Sequence, residues 1–219
     1  NIGGLGLASV RVNASVYNGL VENKHVVETS GGLVILAAGA ASDLLGSVIK
    51  NSGTIAANTI VNKGGEVFLQ ASQITNAGTI NASGLNNGGL IALSGNTITL
   101  QSGSQLLANA VNGQAGTIQI GTAASAAPIG SYAAANNTLG LADTITLDTL
   151  STISASATAQ GNGGVIKMLS LVKTIVGGTL NAIGLGGGTG GSVITGSNES
   201  LQVLANGSLG GFCVQALCA

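Results

Sequence analysis

Residues 78–103 read GTINASGLNNGGLIALSGNTITLQSG. Three short runs inside this stretch have the alternation of strands: Thr79-Ile-Asn-Ala82, Leu90-Ile-Ala-Leu93 and Asn96-Thr-Ile-Thr-Leu100. Each is bounded by Gly, Asn or Ser. β-branched and aliphatic residues at alternate positions suit a pleated surface with one buried face, and Gly/Asn clusters suit tight corners. Three strands and three corners within about 25 residues make one triangular turn of a solenoid.

The unit recurs along the chain in three series. The first is Gly31-Gly-Leu-Val-Ile-Leu36, Gly64-Gly-Glu-Val-Phe-Leu69, Gly89-Leu-Ile-Ala-Leu93, Gly116-Thr-Ile-Gln-Ile120, Gly164-Val-Ile-Lys-Met168 and Gly191-Ser-Val-Ile-Thr195. The second is Gly53-Thr-Ile-Ala-Ala57, Gly78-Thr-Ile-Asn-Ala82, Ser104-Gln-Leu-Leu-Ala108, Ser151-Thr-Ile-Ser-Ala155 and Gly178-Thr-Leu-Asn-Ala182. The third is Ser72-Gln-Ile-Thr75, Asn96-Thr-Ile-Thr-Leu100, Asp143-Thr-Ile-Thr-Leu147 and Leu201-Gln-Val-Leu204. Gly89 to Gly116 and Gly164 to Gly191 are each 27 residues apart, and the 48 residues from Gly116 to Gly164 read as close to two units. Three series in one phase mark a repeat whose turns bury their faces only against their neighbours. The expectation is an all-β parallel β-helix with three strands per turn, about 24–27 residues per turn and roughly eight turns.

Composition narrows the function classes. The 45% hydrophobic content opposes disorder despite 37 glycines. Thirteen charged residues (six basic, seven acidic) give a net charge of −1, and there is no basic patch for nucleic acid. Apolar runs such as Leu33 to Ala41 are too short to span a membrane as a helix. The chain begins at Asn1 with no Met or signal peptide, which is expected of an excised or processed piece.

One solenoid domain is expected over residues 1–210. Leu20 to Leu36 reads as one strand, a corner and another strand. The period breaks at 38–49, where Ser42 or Asp43 can cap a short helical excursion. Residues 122–142 hold the only proline, Pro128, and read as a loop insertion off the strands. Residues 211–219 read as a C-terminal cap with a cysteine pair. Cys213 and Cys218 form either a small disulfide loop or two free thiols, and two ligands without neighbouring His or acid are too few for a metal site.

The strings Tyr17-Asn-Gly-Leu-Val-Glu-Asn23, Gly31-Gly-Leu-Val-Ile-Leu36 and Ala41-Ser-Asp-Leu-Leu-Gly-Ser-Val-Ile-Lys-Asn-Ser-Gly-Thr-Ile55 resemble filamentous-haemagglutinin-type large exoproteins of two-partner secretion. The resemblance runs from Val16 to Ile120 and more loosely to Gly210. It implies a right-handed parallel β-helix, exported through an outer-membrane transporter partner and displayed or released at the bacterial surface as an adhesin. Members similar to the high-molecular-weight adhesins end in a cysteine pair that anchors the fibre, a role the resemblance gives to Cys213 and Cys218. The chain is short for such exoproteins, and the secretion-signal domain expected at their N-terminus is not recognisable in it.

Asn51, Asn62, Asn76, Asn81, Asn96 and Asn112 fall at or near corners, where Asn tolerates a left-handed backbone and can stack into hydrogen-bonded ladders. Asn13, Asn81, Asn136, Asn198 and Asn206 open Asn-x-Ser/Thr triplets. Asn81, Asn136 and Asn206 are the glycosylation candidates. Catalytic chemistry is not expected. His25 is the sole histidine, Asp143 and Asp148 are five apart, and no serine sits in a strand–turn–helix elbow. The stretch Gly184-Leu-Gly-Gly-Gly-Thr-Gly-Gly-Ser192 lacks the Lys-Ser/Thr ending of a phosphate loop and reads as a corner. No cofactor and no metal are expected.

The functional expectation is a structural and adhesive β-helical segment, secreted or held at the cell surface. Its partners would be the transporter, a host glycan or protein, and like subunits end to end. The alternatives are an ice-binding solenoid, suggested by Thr97-Ile-Thr99 and Thr144-Ile-Thr146, and a polysaccharide-cleaving β-helix.

Overall fold

In the computed structural model, residues 7–12, 19–38, 47–58, 64–121, 141–210 and 213–218 are described. They contain strands and turns and no helix. Of the expected excursion at 38–49, residues 39–46 lie outside them, while Ala38 ends one strand and Val48 and Ile49 begin the next; of the insertion at 122–142, residues 122–140 lie outside.

The strands stack as three faces of a parallel solenoid. Face 1 carries β1 (Leu7–Val12), β4 (Leu33–Ala38), β7 (Glu66–Gln70), β10 (Leu90–Ser94), β14 (Thr117–Ile120), the first half of β18 (Val165–Val176), β20 (Ser192–Ser197) and β23 (Cys213–Cys218). Face 2 carries β2 (Leu20–Asn23), β5 (Val48–Asn51), β8 (Gln73–Asn76), β11 (Thr97–Leu100), β15 (Ala142–Leu147), the second half of β18, and β21 (Ser200–Val203). Face 3 stacks seven strands: β3 (Val26–Glu28), β6 (Thr54–Ala56), β9 (Thr79–Asn81), β12 (Gln105–Leu107), β16 (Thr152–Ser154), β19 (Thr179–Asn181) and β22 (Ser208–Gly210). A two-stranded sheet of β13 (Ala110–Gln114) and β17 (Ala157–Asn162) stands off the corner between faces 3 and 1.

Register follows the alternation read from the sequence. On face 1, Val34, Val67, Ile91, Ile118, Ile166 and Val193 lie directly above one another. On face 2, Val21, Ile49, Ile74, Ile98 and Ile145 do the same. On face 3 the column is Ile55, Ile80, Leu106, Ile153 and Leu180. All are buried. Like side chains packed at strand spacing fill the interior in continuous columns, and burying each Ile or Leu contributes about 1.5–3 kcal/mol.

A second inner column on face 2 is polar at one end. Asn23, Asn51 and Asn76 stack there, and the same column continues as Leu100 and Leu147. Asn23 Nδ2 donates to Asn51 Oδ1 at 2.8 Å, Asn51 Nδ2 to Asn76 Oδ1 at 2.7 Å, and Asn76 Nδ2 to the Gly78 carbonyl at 3.0 Å. Each amide satisfies the next, so the asparagines are carried inside without stranded donors. This is the ladder expected of the corner asparagines at Asn51 and Asn76. Asn81 binds locally, Asn96 is exposed, Asn112 lies on β13, and Asn62 is outside the described residues.

Three details depart from the expectation. First, the interval from Gly116 to Gly164 is one turn, because Thr117 pairs directly with Val165. The extra length leaves after Gly121 and returns at Ala142, whose N–H donates to the Gly121 carbonyl at 2.9 Å. The stack is therefore shorter than eight turns. Second, Leu20 to Leu36 holds three strands, because Lys24-His25 forms a corner between β2 and β3. Third, the third series ends at Ser200-Leu-Gln-Val203, two residues earlier in phase than Leu201-Gln-Val-Leu204. It also has a member in Lys173-Thr-Ile-Val176 that alternation alone did not separate from β18.

That strand runs unbroken through the corner between faces 1 and 2, which joins them into one sheet. The register slips by one residue between Ala142 and Thr144, so β18 bulges at Leu171-Val172. Both side chains are pushed outward and exposed.

Candidate binding groove and hydroxyl face

The site begins with the glycine that precedes each face-1 strand. Gly65, Gly89, Gly116, Gly164 and Gly191 donate their N–H groups to the carbonyls of Ala57, Ala82, Ala108, Ala155 and Ala182, at 2.7–2.8 Å. Each bond closes the neck of an excursion made by the chain between face 3 and face 1. Glycine is required because a Cβ there would collide with the carbonyl oxygen of the glycine one turn earlier.

The excursions stack into a ridge. β13 pairs with β17, and isolated bridges add Gly84 to Ala110, Asn87 to Gln114 and Gly161 to Leu185. The stretch Gly184 to Ser192 forms one of these loops, with Gly186 and Gly187 at φ 62° and 89°.

In the angle between this ridge and face 1 lies a groove of about 480 Å³. Its floor is backbone: Gly88, Gly89, Ala115 and Gly116. Asn87 and Gln114 form the ridge wall, and Glu66, Leu90, Thr117 and Gln119 form the face-1 wall. Gln114 is committed, donating to the Gly163 carbonyl at 2.7 Å. Among the described residues, the side chains of Glu66, Asn87, Thr117 and Gln119 have no hydrogen-bond partner. The sequence signal for this groove was an amide two residues before the neck glycine: Asn87-Gly-Gly89, Gln114-Ala-Gly116 and Asn162-Gly-Gly164. It passed as corner composition because nothing in a linear reading says that the corner projects.

Face 2 presents a second surface. Thr97 lies over Thr144, and Thr75, Thr99 and Thr146 form one column. These threonines and Gln73 make two uncharged columns over three rungs, between Lys50 and Lys173, with exposed Asp143 beside Thr144. The structure thus brings together the two Thr-x-Thr motifs seen in sequence and adds Thr75.

The remaining candidates do not converge. Cys213 and Cys218 are the ends of β23, which pairs in continuous register with β20. The backbone of Cys213-Val-Gln-Ala-Leu-Cys218 thus adds a further strand to face 1. Asn81 is half-buried, and its Oδ1 accepts the Ser83 N–H at 3.0 Å. Asn206 is exposed on a turn, and Asn13 and Asn136 lie outside the described residues. His25 is exposed at a corner, Glu22 pairs with Lys24 at 3.2 Å, and Asp143 lies near the start of β15 while Asp148 follows its last residue. Among the described residues no three His, Cys, Asp or Glu side chains gather as metal ligands.

In fold the chain is similar to the secretion domain of HMW1 from Haemophilus influenzae, with a TM-score of 0.64 and 18% sequence identity. The match covers 96% of this chain and 64% of that one. No protein-family model and no curated protein matches the sequence.

Proposed function

We propose that the chain is a β-helical segment of an exported bacterial exoprotein, passed across the outer membrane by a partner transporter and presenting binding surfaces at or beyond the cell surface. The observation that supports this reading most is the fold: a three-sided parallel stack similar over nearly its whole length to the HMW1 secretion domain. The physics of the stack suits export. Each turn bonds only to its neighbours, so a chain emerging end-first folds turn upon turn, each completed rung templating the next. Its scarcity of charge leaves a Thr/Ser/Asn/Gln exterior that serves as a contact surface for host glycans, proteins or like rods.

The test is co-expression behind an export signal, with and without a two-partner outer-membrane transporter, in a Gram-negative host. Transporter-dependent appearance of folded chain outside the cell is the expected result; retention in the periplasm in both cases removes the reading. Beads coated with the purified chain are then expected to bind epithelial cells above uncoated beads.

A second reading rests on face 2. Registered Thr columns give a flat methyl and hydroxyl grid with a rung spacing of about 4.8 Å, the kind of surface that orders water or lies against an ice lattice. Thermal hysteresis in solution, abolished by Thr99→Lys, is its signature; freezing behaviour equal to that of a charge-matched control excludes it.

A further inference from the structure

We propose that the groove between the ridge and face 1 binds one or two pyranose units of an uncharged glycan. The inference deepens the adhesive reading by assigning it a site and a ligand class.

The volume, about 480 Å³, is in the range of small-ligand sites. The floor is rigid and close-set, since Gly88, Gly89 and Gly116 have no side chain and the necks hold them. The walls match a sugar. Asn87 and Gln119 each offer an amide donor and acceptor, Thr117 a hydroxyl and Glu66 an acceptor, none bonded to another described residue. Leu90 lies between Glu66 and Thr117 in the same column and presents apolar surface to the C–H face of a ring.

Two other ligand classes fit less well. A peptide adding as a strand needs free backbone donors and acceptors. Here the N–H groups of Gly88, Gly89 and Gly116 are bonded to Gln114, Ala82 and Ala108. The carbonyls of Gly89 and Gly116 accept from Thr117 and Val165. An anionic ligand meets Glu66, the one charged residue among those lining the groove. Lys167 stands one rung beyond Gln119, outside the lining. The groove therefore disfavours an acidic sugar, and the ligand proposed for it is a neutral one.

The experiment is saturation-transfer NMR on the intact chain with lactose, N-acetyllactosamine, maltose, cellobiose and chitobiose, against sialyllactose as the acidic probe. At least one neutral disaccharide is expected to give signal, and sialyllactose none. Asn87→Ala and Gln119→Ala should each weaken binding about tenfold, the loss of one or two hydrogen bonds. Both side chains lie on the surface, so circular dichroism should be unchanged. Glu66→Gln should keep the neutral ligand and admit sialyllactose. Silence from every neutral sugar, affinity unmoved by both alanine variants, or preference of the unmodified chain for sialyllactose would each overturn the proposal. Cell binding by a double variant that no longer binds sugar would overturn this groove and leave the adhesive reading standing. Sugar binding without cell binding would do the reverse.

Discussion

Leu150 holds a φ of 63° at a corner between faces 2 and 3, and its side chain is 82% exposed. One turn earlier the equivalent residue is Gly103, at φ 81°. A left-handed backbone costs a β-carbon residue roughly 1–2 kcal/mol, and glycine's extra freedom in the unfolded chain returns part of that. Leu150→Gly is therefore expected to stabilise the fold by roughly 0.5–1 kcal/mol, read as a higher denaturation midpoint at unchanged slope. Thr195 is the opposite kind of exception. It is fully buried in the Leu93, Ile120 and Met168 column, one rung before Ala216, and among the described residues its hydroxyl has no partner.

At the scale of the element, the asparagine ladder shows how a polar column survives inside an apolar stack. Asn51→Ala strands the buried Asn76 acceptor and leaves the half-buried Asn23 amide only its bond to the Thr54 carbonyl at 3.2 Å, and should cost about 2 kcal/mol. Replacing Asn23, Asn51 and Asn76 by Leu at once extends the Leu100–Leu147 column and should recover most of that loss. Denaturant unfolding of the single and triple variants measures both. β23 makes a second claim at this scale. If Cys213 and Cys218 are rungs of one strand, the unreduced chain unfolded with alkylating agent should take up two labels, seen by mass spectrometry; no uptake would mean that the pair had bridged and the strand had left the sheet.

For the whole molecule, contacts run along one axis, so stability belongs to neighbouring turns. Amide exchange should be slowest in the central turns around β8 to β12 and faster toward β2, β3, β21 and β22, whose outer edges lack a partner strand among the described residues. A flat profile from end to end would mean that the stack opens as one unit. Those open edges are also where end-to-end association of rods would occur, and electron microscopy of the purified chain would show filaments if it does.

The sequence by itself determined the strand type, the three-sided turn and the columns, because a side-chain period of two and a corner glycine are local properties repeated many times over. Isoleucines such as Ile74, Ile98 and Ile145 could be placed on one inner column from spacing alone. What only the tertiary structure decided was everything that depends on which rungs touch. It showed that Val165 pairs with Thr117, so that 48 residues make one turn, and that the corner glycines are necks of stacked excursions. It also set Asn87 and Gln119, far apart in the chain, on facing walls of one groove. Length between repeats does not reveal whether a segment adds a rung or leaves and returns; backbone hydrogen bonding across turns makes that choice, and those bonds carry no mark in the side-chain pattern.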